Sequence, residues 1–175
     1  VVTGLAYTAF GGDILQIEVN YFEGKGKLII TGQLGDVMKE SAEIALDYVK
    51  SNAKKFGIDV KFFETHDIHI HVPEGAVPKD GPSAGVTLTT AFVSALTNKA
   101  VDANCAMTGE VTLRGNVLPI GGLREKSIAA NRSGITKVFI PKGNVKDIDE
   151  LPDIVKENIT FMPVDKVDTI LKEAI

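Results

Sequence analysis

The sequence predicts an α/β (α+β) fold, a single compact domain with a mixed β-sheet and flanking helices. Two observations predict it. Short β-branched and aromatic runs alternate with stretches of helical periodicity along the chain. No internal repeat, low-complexity tract or linker divides its 175 residues, a length that suits one domain. Taken in order, runs at 2–10, 13–22 and 27–31 read as strands, broken by Gly11-Gly12 and by Glu23-Gly24-Lys25-Gly26. Ala42, Ala45, Leu46, Val49, Ala53 and Phe56 recur at helical spacing, which predicts a helix over 37–56 with Asp36 as N-cap and Gly57 as its stop. Strands are expected at 58–63 and 67–72. The second of these turns Ile68, Ile70 and Val72 to one face and His69 and His71 to the other. An irregular loop at 73–82 leads into a helix from Ser83 to Asn98 that is apolar nearly all round and therefore buried. Strands near 104–108, 110–114 and 116–120, a helix over 122–132 and a strand at 137–140 follow. A short helix near 144–149, a strand near 159–162 and a helix over 165–174 complete the chain.

Composition narrows the function. Net charge is −4 with dispersed basic residues, which gives no nucleic-acid footprint. No helix pairs a basic face with a large apolar one, and the apolar runs are too short to span a bilayer. The single cysteine, Cys105, excludes an intrachain disulfide and lies in a segment that predicts a buried thiol, in keeping with a reducing compartment. The chain opens on a strand-like run rather than a secretory n-region, and its first residue is Val1, which suggests a domain excised from a longer protein.

Asp80-Gly81-Pro82-Ser83-Ala84-Gly85 is the most informative segment. Glycine on both sides of a serine, at the start of a long helix, suits a nucleophile that needs tight backbone and open access. A helix N-terminus also offers N–H groups to a developing oxyanion. The competing reading is an ordinary serine N-cap. The segment also matches G-x-S-x-G, the nucleophile elbow of α/β-hydrolases. Against that, the three prolines of 73–82 preclude a central strand before the serine, and all three histidines, at 66, 69 and 71, precede Ser83.

Two kinds of base remain. His69 and His71 share a strand face about 6.7 Å apart, where they either pack, line a site, or act as base or metal ligands. Two histidines without a third ligand make a poor metal site, so no metal is expected. Lys126 sits on the 122–132 helix with Leu123, Ala129 and Ala130 on its face. Desolvation there would lower its pKa towards about 7–8 and make the amine a usable base; the alternative is a lysine that snorkels to the surface.

Two long motifs in order carry a resemblance. Pro78-Lys79-Asp80-Gly81-Pro82-Ser83-Ala84-Gly85 is similar to the serine motif of Lon proteases of the A type. Thr108-Gly109-Glu110-Val111-Thr112-Leu113-Arg114-Gly115, then Val117-Leu118-Pro119-Ile120-Gly121-Gly122-Leu123-Arg124-Glu125-Lys126, is similar to their lysine motif. Looser similarity covers nearly the whole chain, so residues 1–175 resemble a Lon-type Ser-Lys proteolytic domain. The resemblance implies a serine endopeptidase in which Ser83 is nucleophile and Lys126 general base, with Thr108 holding the lysine amine. It implies supporting roles for His69, His71 and Asp80, the last in the loop before the serine. Arg124 departs from the family's lysine but keeps the charge. Glu110 would raise the pKa of Lys126 if it lay beside it, so it is expected to point elsewhere or to pair with a different cation.

The resemblance further implies protein substrates, a homo-hexameric ring and an AAA+ ATPase domain in cis. This chain holds no G-x-x-x-x-G-K-[ST] loop, so no cofactor is expected in this domain; ATP and Mg would belong to the ATPase domain, which with the N-terminal domains lies outside the chain. A cytoplasmic location is expected, with the mitochondrial matrix as the alternative. Two readings compete with the Ser-Lys peptidase: a Lon-like domain used only for ring assembly, and a hydrolase that pairs Ser83 with His69 or His71.

Overall fold

The computed structural model describes residues 1–8, 11–32, 34–73 and 81–175. Seven strands form one mixed sheet in the order β3-β4-β2-β1-β5-β8-β9, and two more form a separate hairpin. In chain order they are β1 (Val2–Thr8), β2 (Gly11–Glu23), β3 (Leu28–Thr31), β4 (His66–His71), β5 (Cys105–Met107), β6 (Glu110–Val111), β7 (Val117–Leu118), β8 (Lys137–Pro141) and β9 (Thr160–Val164). β1 and β2 are antiparallel, as are β2 and β4; β1, β5, β8 and β9 run parallel to one another.

The helices are α1 (Asp36–Ser51), α2 (Phe62–Thr65), α3 (Gly85–Thr97), α4 (Leu123–Arg132), α5 (Asp153–Asn158) and α6 (Val167–Ala174). Strand alternation divides the core between them. Cys105, Met107 and Phe139 belong to the cluster beneath α1, α3 and α6, whereas Ala106, Val138 and Ile140 belong to the cluster beneath α4 and α5. The sheet is thus covered on both faces, and α3 and α4 lie on opposite ones.

Helix α3 is buried at every position from Gly85 to Val93. Thr89 and Thr90 tolerate this because they donate to the carbonyls of Gly85 and Val86 at 2.9 and 2.8 Å. Asn98, in the left-handed region, closes the helix. Cys105 is buried as expected, and burial pushes its thiol up to about 11.

Several expected elements differ. The pair Gly11-Gly12 does not break the sheet; it opens β2 and pairs with Thr8 and Tyr7. Ala9 and Phe10, the last of the run expected from Val2, lie outside the described residues. Gly35, not Asp36, is the N-cap of α1, and α1 stops at Ser51, where Asn52 turns its side chain back to the Tyr48 carbonyl. No strand forms at 58–63. Gly57 adopts φ +74° and Ile58 bonds back to Ala53, after which Asp59 accepts from the Lys61 N–H and starts the short helix α2. The apolar residues there serve the core as single anchors, Ile58 and Phe63, rather than as a ladder. The strands at 110–114 and 116–120 shrink to two residues each around a tight turn, in which Thr112 Oγ1 accepts from the N–H groups of Arg114 and Asn116. The helix near 144–149 is a 3₁₀ segment over Lys142–Glu150, and α5 was not foreseen.

One polar cluster ties three elements together. Tyr48 of α1 donates to Asp168 of α6 at 2.5 Å, and Lys55 pairs with the other oxygen of that carboxylate. Hydrogen bonds from Lys55 and Tyr48 and the charge of Lys55 hold the Asp168 carboxyl below its ordinary range, against the effect of its partial burial. The Tyr48 ring also lies against Gly115 in the hairpin turn, where a Cβ would come within 2.6 Å of it. Removal of the hydroxyl in Tyr48→Phe is expected to lower stability by about 1.5 kcal/mol, the worth of a hydrogen bond to a charged group. Urea denaturation at neutral pH checks this, with an unchanged m-value showing that compactness is retained.

Candidate active site

The site is assembled where β5 ends. Thr108 and Gly109 follow that strand directly, and each reaches a different face of the sheet. On one side, Gly109 N–H donates to the Ser83 carbonyl at 2.8 Å, and the Val86 N–H donates to the Gly109 carbonyl at 3.1 Å. On the other, Lys126 Nζ donates to Thr108 Oγ1 at 3.3 Å. Two consecutive residues therefore link the start of α3 to the middle of α4.

Ser83 lies in a 3₁₀ turn, Pro82–Ala84, that leads into α3. The turn follows Gly81 at φ +120° and ψ 160°, a conformation that only glycine adopts without strain. No side chain caps either this turn or α3, whose N-cap is Ala84. The hydroxyl of Ser83 is thus not spent on capping, which removes the ordinary reason for a serine at this place. Gly85 is fixed by space: a Cβ there would sit 2.7 Å from the backbone nitrogen of Val111 and 2.9 Å from its side chain. Close contact with β6 holds the helix start against the hairpin.

Lys126 is 3% exposed, and Leu123, Ala129 and Ala130 of its face are buried with it. It does not snorkel. Burial alone pushes its amine down to about 8. Among the described residues no carboxylate counteracts this, and Glu110, on β6 opposite Leu118, makes no ion pair. Its hydrogen-bond partner, Thr108, is completely buried, and the Thr108 N–H is held by the Phe139 carbonyl at 3.1 Å.

Two contacts that the sequence reading missed place α4. Gly12 of β2 runs so close that a Cβ would lie 2.0 Å from the carbonyl oxygen of Glu125 and 2.9 Å from the nitrogen of Lys126. The glycine pair was the available signal, but it reads equally well as a turn. Asn144 is 2% exposed, accepts from the Ile120 N–H at 2.9 Å and donates to the Ile120 carbonyl at 2.8 Å. It clamps the loop that enters α4 through Gly122, which takes the left-handed conformation. Nothing in the local sequence marks this asparagine.

His69 and His71 share a face of β4, as the alternation predicts, with ring centroids 6.4 Å apart. The Thr31 hydroxyl stands between them, 2.9 Å from His69 Nε2 and 2.7 Å from His71 Nδ1. One hydroxyl proton serves only one of these bonds, so at least one imidazole donates to the threonine oxygen. Both histidines are engaged with Thr31 of β3. Among the described residues no three His, Cys, Asp or Glu side chains converge on a metal position. Asp80 lies outside the described residues.

All of residues 1–175 match the model of the Lon protease (S16) C-terminal proteolytic domain. The chain is 59% identical over 174 residues to the Lon protease of Brevibacillus choshinensis, covering 99% of this chain and 22% of that protein. It is 59% identical over 175 residues to Lon protease 1 of Bacillus subtilis, covering 100% of this chain and 23% of the relative. It is 64% identical over 170 residues to the Lon protease of Mycoplasma mycoides subsp. mycoides, covering 97% and 21%. The chain therefore spans less than a quarter of the length of these curated relatives. It belongs to the family of Lon protease (S16) C-terminal proteolytic domains.

Proposed function

We propose that this chain is the peptide-cleaving part of an ATP-dependent Lon-type serine protease, with Ser83 as nucleophile and Lys126 as general base. The observation that carries the reading is the buried Lys126 amine on Thr108, whose neighbour Gly109 is bonded to the backbone of Ser83. A solvated lysine is neutral in only about one molecule in 2,500 at pH 7, whereas one with a pKa of about 8 is neutral in roughly one in ten. The neutral amine takes the proton of Ser83 Oγ as that oxygen attacks the peptide carbonyl. The ammonium then returns the proton to the departing amine, and water hydrolyses the acyl-enzyme by the same route in reverse. Thr108 keeps the amine directed during both transfers. Within the serine turn the Gly85 and Val86 N–H groups are already bonded, to the Pro82 and Gly109 carbonyls, so Ser83 and Ala84 hold the N–H groups this turn offers to the oxyanion.

The wider reading follows from the family. Its substrates are unfolded or damaged proteins, delivered by an AAA+ ATPase domain in cis that uses ATP and Mg. The working form is a homo-hexamer in the cytoplasm, the location that likeness to bacterial Lon proteases supports over the mitochondrial matrix. His69, His71 and Asp80 take supporting roles. Full motif context around both Ser83 and Lys126 supports a peptidase over a ring-assembly domain that has lost its chemistry.

Four outcomes test this. Ser83→Ala and Lys126→Ala in the full-length protein should each cut peptidase turnover by more than about 10⁴-fold, since the pair acts as a unit. Full activity in Lys126→Ala, with loss in His69→Ala or His71→Ala, would overturn the lysine base. In the native protein kcat/KM should rise with pH and level off above about 8, as the amine loses its proton.

Stability should show the opposite side of the same burial. The folded pKa of Lys126 lies below its unfolded value, so the penalty is complete below about pH 8 and disappears as pH rises to about 10.5. Lys126→Met should therefore be inactive yet more stable at pH 7 by about 1–3 kcal/mol, a gain that thermal denaturation should find shrinking above pH 8. Finally, Gly12→Ala should push the Glu125–Lys126 backbone away and reduce kcat by about tenfold or more, since small misplacements of catalytic groups are costly. Retained far-ultraviolet circular dichroism would separate that effect from unfolding.

A further inference from the structure

The hairpin β6–β7 meets the serine side of the site through one residue pair. Val111 and Val117 stand directly opposite each other in its ladder, so their side chains project from the same face. Both are buried. A Cβ on Gly85 would lie 2.9 Å from Val111 Cγ1, and a Cβ on Gly109 would lie 2.7 Å from Val117 Cγ1. One valine therefore presses on the backbone two residues after Ser83. Its partner presses on the residue whose N–H holds the Ser83 carbonyl.

The hairpin is itself backed by the entry to α6. The Val117 N–H donates to the Asp165 carbonyl at 2.9 Å, and the Val167 N–H donates to the Gly115 carbonyl at 2.9 Å. Asn116 and Lys166 form a β-bridge between these two bonds, and the Tyr48 ring lies against Gly115. The turn also holds its own shape. Its Thr112 N–H donates to the Asn116 carbonyl at 3.0 Å, and its Gly115 N–H donates to the Thr112 carbonyl at 2.9 Å. With the turn fixed in this way, the methyl groups of the valine pair set the spacing between the hairpin and the two glycines.

We propose that Val111 and Val117 are positioning residues for peptide cleavage, a buried wedge that holds the Ser83 turn at its working distance from Lys126; this rests on the Ser83–Lys126 reading. Removing the branches of either valine leaves space beside a glycine, and the serine turn relaxes into it. A misplacement of about 1 Å costs a catalytic group up to about 100-fold in rate. The lysine is held separately, by α4 and by Thr108, whose own N–H is bonded to the Phe139 carbonyl. The wedge therefore acts on the nucleophile and leaves the base where it is.

The test uses full-length protein, a short fluorogenic peptide substrate and the variants Val111→Ala, Val117→Ala, Val111→Thr and Val117→Thr. Threonine keeps both branches of valine and adds a buried hydroxyl, so it lowers stability without opening the gap. The alanine variants are expected to lose at least about tenfold in kcat with KM within about twofold of native. Their pH midpoint of kcat/KM should stay near that of the native protein, about 8. The threonine variants should keep kcat although thermal denaturation finds them destabilised. Where an alanine variant does not fold, Val111→Cys or Val117→Cys, which keeps one branch, carries the same comparison. Native kcat in the alanine variants below their unfolding temperature would overturn the proposal. So would an equal loss in the threonine variants, which ties activity to stability, or a shifted pH midpoint, which puts the displacement at Lys126. Ser83→Ala in the same assay keeps the two ideas apart. Activity retained there rejects the serine nucleophile, whereas its loss beside native kcat in the alanine variants rejects the wedge alone.

Discussion

The backbone of Gly109 is the joint on which the rest of the site depends. Its N–H and carbonyl are both taken by the start of α3, through Ser83 and Val86. The preceding residue, Thr108, anchors the Lys126 amine from the other side of the sheet. Helices α3 and α4 cover opposite faces and do not share a core cluster, so they meet only beyond the end of a strand. A parallel strand end provides that meeting place, since its last backbone groups have left the ladder and are free to bond elsewhere. Space also restricts this residue: a Cβ on Gly109 would lie 2.7 Å from Val117 and 3.2 Å from Val86.

A buried lysine without a carboxylate is costly, and the fold around it shows how the cost is met. The sheet and α4 supply small apolar neighbours rather than counter-charges, so Lys126 keeps a lowered pKa instead of gaining a salt bridge. A paired carboxylate would have improved stability at neutral pH and kept the amine charged. Backbone contacts therefore hold the amine in place. Gly12 lets β2 press against the α4 backbone at Lys126, and Asn144 fixes the loop before it. Positioning by packed backbone suits a group that must remain close to neutral.

The opposite choice appears at the Tyr48–Asp168–Lys55 cluster. There a partly buried carboxylate is fully supplied with donors and joins α1, α6 and the hairpin turn at Gly115. The hairpin in turn abuts the start of α3 through Val111 and Gly85. One domain thus holds a satisfied polar cluster for cohesion and an undersupplied lysine at the candidate site. The two are separated by α3, which is buried through most of its length.

The strand and helix order was largely legible because hydrophobic periodicity is a local property. β4 shows it well, with Ile68 and Ile70 inward and His69 and His71 together on the other face. Periodicity failed at 58–63, where apolar residues anchor a turn and a short helix, and at Gly11-Gly12, where two glycines sit inside a strand. Both failures have one cause: what a glycine or a lone apolar residue does depends on what lies across from it. The serine and lysine motifs were likewise readable as residue types in context, including the apolar face around Lys126. Whether Ser83 caps a helix and whether Lys126 snorkels was decided only by tertiary structure, because each alternative is satisfied by the same local sequence. The sequence by itself determined which groups are the candidates for the chemistry. The close approach of β2, the end of β5 and the two opposed helices decided where those groups stand and how far the amine is removed from water.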